Sequence, residues 1–422
     1  MARDEVLSEG LRRAVHHVRG VAMGPNTHFK DGFLTVGVDC RDSLADTALS
    51  EVRLWWASPG DKVRIIKLLD AIEPRTKEGP GIFPGFIGPA EPQGTGTTHV
   101  LKGAAVVTAG YLPRAQEALV DMSGPAQALS FLGQMHNLVV EFTPAEGAPW
   151  EEVDAAVRCA GLKLAQHLAE AAIGAPPDAL EKLPSIRTNG SSGLPRVAAV
   201  TNLQTQGTFK DVFVYGRSFS TEPPALIDPN EVEDGAIVSG QYGHPALKNP
   251  TYVHQNHPIA GALRVRHGQD LDFAGIVICP EPVDEKGKER TAREVADLCK
   301  EQGFDAVILT KEGGGNADAD VALKMDALES AGITAVGLFA EMAGSDGSGT
   351  PLVISPSQAT AMVSTGNYDH GLELPAMERA FGGDEFELLK VPAVSELSVP
   401  AAVVYCSLSP LGMGRLTCRE SG

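Results

Sequence analysis

Residues 273–341 alternate wholly apolar runs with helix-period segments, and that alternation restricts the possible folds more than any other feature of the chain. FAGIVICP (273–280) is a continuous apolar run of the kind found in strands covered on both faces. TAREVADLCKEQG follows, with Ala292, Val295, Ala296 and Cys299 on one helical face. FDAVILT (304–310) is a second buried strand, and ADADVALKMDALESAG a second helix with Val321, Met325 and Leu328 in register. ITAVGLFAE supplies a third strand and ATAMVSTG (359–366) a fourth. Strand and helix in strict alternation imply a parallel sheet with right-handed crossovers, a doubly wound unit.

With 422 residues the chain exceeds one ordinary core, so a further unit is expected ahead of this one. The runs FLTVGV, VRLWWA, KVRIIKLLDAI and NLVVEFTP read as short strands punctuated by Gly, Pro and Asp. Segment 79–110 is dense in Gly and Pro before it turns Val-rich, which suggests an ordered loop feeding a buried strand. EEVDAAVRCAGLKLAQHLAEAA (151–172) is rich in strong helix formers and is stopped by Gly174. The expected fold is α/β, a β-rich mixed N-terminal domain plus a C-terminal doubly wound parallel-sheet domain. Its divisions are a mixed domain with helix and linker over 1–194, a strand and loop segment over 195–262, a Rossmann-like domain over 263–385 and a tail over 386–422.

Charge narrows the partners: 35 basic against 54 acidic residues leave a net charge of −19. Nucleic acid and anionic membrane surfaces both require a positive footprint, so neither is expected, while a cationic substrate stays compatible. Six cysteines are scattered without a Cys-x-x-Cys pair, arguing against a structural zinc or a disulfide framework and for a reducing, cytoplasmic setting. MARDEVLSEGLRRAVHHVRG alternates charges where a signal peptide needs an apolar centre, and no run is long enough to span a bilayer.

Parallel sheets bind ligands beyond the carboxyl ends of their strands, which points to KEGGGNADAD (311–320). Three glycines allow close backbone approach and the helix behind them offers free N–H groups. Glu312, Asp318 and Asp320 would repel a phosphate there, so a bound amine, a metal or another backbone fits better. The alternative is that the two aspartates only cap the helix and complement its dipole. AEMAGSDGSGT (340–350) adds Glu341 and Asp346 to the same rim.

GAIVSGQYGHPALKNPTYVHQNHPI (235–259) concentrates hydrogen-bonding groups, with His254 and His257 three apart and His244 ten residues upstream. Three imidazoles can hold a catalytic zinc. Otherwise Pro250 and Pro258 fix a rigid loop whose histidines bond to backbone. Arg75 and His99 read as structural residues of a turn and a loop.

Taken in order, GDKVRIIKLLDAIEPR, IFPGFIG, THVLKGAAVVTAG, DMSGP, LQTQGTFKDVFVYG, DGAIVSG, KNPTYVHQNHPI, EGGGNADAD, EMAGSDGSG and STGNYDHGLELPAMERAFGG make a set of motifs running from about Gly60 to Gly383. This set resembles the alpha/beta proprotein of component B of glycine, sarcosine and betaine reductases, a relative of the D-proline reductase proprotein. The resemblance implies reductive cleavage of a carbon–nitrogen bond in a small amino acid or its N-methylated derivative. It also implies self-cleavage before an internal cysteine that becomes a pyruvoyl group, whose carbonyl condenses with the substrate amine, and a separate subunit whose selenol or thiol attacks carbon.

The family cysteine falls two residues after Ser-Gly and is preceded by Asn, where this chain has Gln241 and Tyr242. A tyrosine phenol lies too far along its side chain to attack the preceding carbonyl through a five-membered ring, and it offers no β-heteroatom to eliminate. None of the six cysteines lies between Cys159 and Cys279, and Ser239 sits in a Val-Ser-Gly strand end. A pyruvoyl-free, uncleaved homologue is therefore expected, with no other cofactor implied and the metal alternative left open. A quaternary ammonium substrate cannot form an iminium in any case, so chemistry without the carbonyl is conceivable.

By resemblance, Ser239, Gly240, Asn249, His254, Asn256, His257, Gly315, Asn316, Asp318, Asp320, Gly344 and Asp346 persist from the family pattern. The expected catalytic set is His244, His254, His257 and Tyr242, with His244 and Tyr242 open to new roles such as proton transfer. The expected substrate contacts are Ser239, Gly240, Gln241, Asn249, Asn256, Glu312, Gly315, Asn316, Asp318, Asp320 and Asp346. A small amine-bearing substrate would lie between the 235–259 loop and the acidic glycine loop. The chain would act in a hetero-oligomer with a component B partner bearing a thiol or selenol. Two alternatives stand beside this: a non-catalytic scaffold that stabilises the partner, and a metal-dependent hydrolase or lyase using His244, His254 and His257.

Overall fold

The computed structural model describes residues 10–37, 40, 44–78, 93–113, 115, 117–186, 193–205, 212–241, 244–358, 361–409 and 411–413. The IFPGFIG run, Tyr242 and Cys418 lie outside the described residues.

The apolar runs of the C-terminal half form one six-stranded sheet. Its strands in chain order are β1 (Arg196–Leu203), β2 (Ala225–Ile227), β3 (Asp272–Pro280), β4 (Ala306–Thr310), β5 (Thr334–Glu341) and β6 (Ala361–Asn367). They lie side by side as β2-β3-β1-β4-β5-β6, parallel throughout except for the antiparallel edge strand β2. Three helices cross over: α1 (Pro258–Arg266), α2 (Glu285–Glu301) and α3 (Asn316–Ser330).

The face reading of the helices holds, since Val295, Cys299, Val321, Met325 and Leu328 are buried together against Val200, Val277 and Leu309. Ile259, Ala260 and Leu263 of α1 cover the opposite face with Ala199 and Ile276. Alternate residues of β1 thus feed two cores, as a doubly covered strand must.

Two parts of the sequence reading change. The sheet takes its central strand from residues 196–203, outside the 263–385 span expected to form it: β1 pairs with β3 on one side and β4 on the other. RVAAVTNL is a buried strand whose signal is masked by the Pro-, Ser- and Gly-rich residues before it. The 386–422 tail is also not loose where it is described: Leu397, Val399, Val403 and Val404 join a core with Ile66 and Leu119. Tyr405 donates to the Leu69 carbonyl at 3.1 Å.

The N-terminal residues form several small mixed sheets, among them one of order Leu49–Ala57, His136–Pro144, Ala104–Ala109, Leu68–Ile72. The expected helix spans Trp150–Glu170 and buries Ala160, Leu164 and Leu168 against Ile72, Val106 and Leu138. Within the expected linker, Ala179–Leu183 pairs antiparallel with Leu11–Val15. No helix among the described residues is long and apolar enough to cross a membrane.

Candidate functional site

The parallel strands change direction of travel at β1: β3 lies on one side of it, and β4, β5 and β6 follow on the other. In sheets of this order the crevice lies between the carboxyl ends of the two strands at the reversal. Here those are β1 and β4, and β4 runs directly into Lys311-Glu312 and the glycines.

The three glycines have separate reasons. Gly313 and Gly315 adopt φ of 79° and 68°, in the left-handed region. At Gly314 a Cβ would meet Met342 Cε at 2.3 Å, so a side chain there would have to displace the end of Met342. The turn is built to bring Glu312 inward and to start α3, where Asp318 accepts the Gly315 N–H at 2.8 Å. Capping is therefore part of what Asp318 does. It also pairs with the buried Lys311, whose Nζ donates to the Gly313 carbonyl at 2.7 Å.

The 235–259 segment reaches this loop through a lysine. Lys248 Nζ donates to Ser239 Oγ at 2.8 Å, to the Gly240 carbonyl at 2.7 Å and to Glu312 Oε1 at 3.0 Å, all buried. Asn249 ties the same two segments together, donating to the Lys311 carbonyl at 2.8 Å and accepting from Ser409 Oγ at 2.6 Å. Thr251 accepts the Ser239 N–H at 2.9 Å and donates to Asp70 Oδ2 at 2.7 Å. Burial holds Asp70 up at about 6, against the pull of Lys248 and Thr251.

Behind Glu312 stands a second carboxyl, Glu281, at the end of β3. Its Oε1 accepts the Glu312 N–H at 3.2 Å, while its buried Oε2 has no hydrogen-bond partner among the described residues. Burial first, and the negative charge of Asp320 second, push Glu281 up to about 8. Asp320 is paired with Lys324 and accepts from Asn202 Nδ2 at 2.7 Å. Burial and the neighbouring negative charge thus favour the protonated form of Glu281, in a site otherwise fixed by ion pairs.

The histidines separate. His257 begins α1: its Nδ1 accepts the Ala260 N–H at 3.3 Å, so Nε2 carries the proton toward Thr201 Oγ1 at 3.1 Å. Burial holds it down at about 4. His254 is fully buried, and neither ring nitrogen has a hydrogen-bond partner among the described residues. Burial, then His257 and Lys248, push it down to about 3, with the Asn249 backbone opposing. His244 is half-buried beside the Tyr368 hydroxyl, 2.7 Å from its Nε2, and burial and Lys311 push it down to about 4.

Among the described residues no group of three or more His, Cys, Asp or Glu is arranged to hold a metal, so the three-histidine zinc reading gains no support. Cys406 is buried, and burial pushes its thiol well up, away from reactivity.

Ser239, Gly240, Asn249, Glu312, Gly315, Asp318 and Asp320 are therefore linked through Lys248, Lys311 and the glycine loop. Others stand apart. Gln241 Nε2 donates to the Asp154 carbonyl at 2.7 Å, and its Oε1 accepts from Thr108 at 3.2 Å. Asn256 accepts from Lys102 Nζ at 2.6 Å. Asn316 is exposed with its amide toward the Val283 carbonyl, and Asp346 is exposed and bonds to Ser348. Sequence reasoning missed Lys248, Glu281, Lys311, Lys324 and Asn202. Only the strand-end positions of Glu281 and Lys311 gave any signal.

Residues 10–395 match the family described as glycine/sarcosine/betaine reductase component B subunits. The chain is 38% identical over 373 residues to the glycine reductase complex component B subunits alpha and beta of Peptoclostridium acidaminophilum, covering 86% of this chain and 87% of that one. It is 34% identical over 373 residues to a sarcosine reductase complex component B subunit alpha from the same organism, covering 86% and 87%. The betaine reductase counterpart there is 32% identical over 434 aligned positions, covering 96% and 98%. No solved structure matches the chain. The chain belongs to the glycine/sarcosine/betaine reductase component B family.

Proposed function

We propose that the chain is an uncleaved, pyruvoyl-free member of this family that binds a small amine-bearing substrate for reductive carbon–nitrogen cleavage. It works in the cytoplasm, in a hetero-oligomer whose partner subunit supplies the thiol or selenol. The observation that carries the reading is the pair Gln241-Tyr242 in an otherwise family-like run, within a match covering residues 10–395.

The residues present do not suit a pyruvoyl group. Gln241 is spoken for by Asp154 and Thr108. Ser239, the nearest described hydroxyl, accepts from Lys248, itself paired with Glu312, so it faces an acid where a nucleophile needs a base. The chemistry falls to ordinary side chains. Glu312, Asp318 and Asp320 lie buried beneath the crevice, paired with Lys248, Lys311 and Lys324, and the unsatisfied Glu312 and Glu281 oxygens are the acceptors left for a substrate amine. When the partner's thiolate forms a sulfur–carbon bond, the carbon–nitrogen bond breaks and the departing nitrogen's electron pair takes the proton of Glu281. Membership of multi-subunit complexes among the relatives supports the partner.

Intact mass under denaturing conditions tests the central point. One species of full-chain mass is expected. Two fragments, one with a blocked N-terminus, would refute it.

A further inference from the structure

Away from the β1–β4 crevice, a cavity of about 600 Å³ opens beyond the carboxyl ends of β5 and β6. Its apolar lining includes Leu129, Phe131, Leu408 and Met413. Its polar groups include Glu341 and Ser130. Among the described residues the Glu341 carboxylate has no ion pair or hydrogen bond, and none of those lining the cavity is a Lys or Arg. Ser130 is 1% exposed and its hydroxyl has no partner among the described residues. A buried hydroxyl without a partner among the described residues leaves a hydrogen bond to be made, to water or to a ligand. The volume lies in the range of small-molecule sites and far exceeds what a two- or three-carbon amino acid fills.

We propose that this cavity is a second binding site, for a protonated amine carried on an apolar or aromatic body. The ammonium donates to the Glu341 carboxylate and to the Ser130 oxygen, and the body lies against Phe131, Leu129 and Leu408. A carboxylate with no ion pair among the described residues selects for cations over anions, and the apolar lining selects against bare ammonium.

Calorimetric titration of the full chain at pH 7 with phenethylamine, and with the neutral 2-phenylethanol, tests the assignment. One saturable site is expected for the amine, with the alcohol about tenfold weaker or worse. Glu341→Gln should lower amine affinity about tenfold and leave the alcohol unchanged, and Ser130→Ala should lower it about threefold. Glu281→Gln should bind the amine as the wild type does, which separates this site from the crevice. Absence of saturable binding, equal affinity for amine and alcohol, or indifference to Glu341→Gln would overturn the proposal. So would loss of amine binding in Glu281→Gln, because the amine would then sit in the crevice.

Discussion

Two buried ion centres of this chain solve the same problem in opposite ways. Arg64 joins the N-terminal sheets to the C-terminal segment. Its Nε and Nη2 donate to the two oxygens of Asp121 at 2.6 and 2.9 Å, and its remaining N–H groups reach the carbonyls of Ala393, Ser395 and Pro375. Five donors in a rigid fork find five acceptors, so the centre is closed. At the crevice the cation is Lys248, a point charge on a flexible stem, and the carboxyls around it are incompletely satisfied: Glu312 Oε2 and Glu281 Oε2 are buried without hydrogen-bond partners among the described residues. Both centres are equally hidden from water. Burial therefore does not tell the two centres apart; unsatisfied hydrogen-bonding capacity does.

The sharpest way to break that contrast is to remove each cation. Arg64→Leu leaves the Asp121 carboxylate and three carbonyls unpaired in the interior. The chain should lose about 3–5 kcal/mol of stability, read from denaturant melts. Arg64→Lys should recover only part of it, because one ammonium cannot serve five acceptors. Lys248→Met should cost less, about 2–3 kcal/mol, because Glu312, already raised by burial, can take up a proton in place of its partner. Its effect on turnover of the assembled complex should be the larger one, a loss of tenfold or more. A Lys248→Met complex of full activity would make both centres structural.

Much of the frame around the crevice is legible in the chain, and the ion pairs within it are not. FAGIVICP, FDAVILT and ITAVGLFAE declare themselves because a strand covered on both faces must be apolar throughout. The glycine loop follows from its position after such a strand. Lys248 gives no warning, because its partner lies 64 residues away and a single lysine in a loop is ordinarily a solvated one. Lys311 and Lys324 have partners close in sequence, Asp318 and Asp320, and what the chain does not announce is that both pairs are buried. Glu281 follows a proline at the end of a strand and reads as a surface carboxylate. The histidines attract notice for their spacing, yet the fold gives each a separate environment, because a helix start, an apolar interior and a tyrosine contact are set by packing. Tyr242, on which the proposed loss of the pyruvoyl group turns, lies outside the described residues.

Titration separates the crevice from the rest without removing any charge pair. Glu281 has an ordinary value of 4.5 and is held at about 8, so the folded chain binds a proton that the unfolded chain has released. Stability from this group is full below about 4.5 and declines as pH rises toward 8. Above pH 6.5 the slope should approach 1.4 kcal/mol per unit at most, and Glu281→Gln should flatten it. His254 works the other way: its ordinary value is 6.5 and it is held at about 3, so the unfolded chain takes up the proton first. Stability is then full above 6.5 and falls as pH drops toward 3. His254→Leu should weaken that acid loss while changing stability at pH 7 by about 1 kcal/mol, since the ring is buried neutral and no ion pair is removed. A Glu281→Gln chain whose thermal midpoint still declines between pH 6.5 and 8 as the wild type does would place the titrating group elsewhere.

The smallest effect expected is at Asp346, where the family pattern and the geometry disagree. Its carboxylate is exposed and accepts from the Ser348 N–H at 3.0 Å and hydroxyl at 2.8 Å, contacts local to its own loop that hold its pKa below the usual aspartate value. Nothing connects it to Lys248 or Glu281. Asp346→Ala should move the thermal midpoint by no more than about 1–2 °C and leave turnover of the assembled complex unchanged. A full loss of turnover with an unchanged midpoint would mean that this rim meets the partner subunit. Exposed polar groups would then carry function as the buried ones do, and the line between a closed centre and an open one would have to be redrawn at the protein surface.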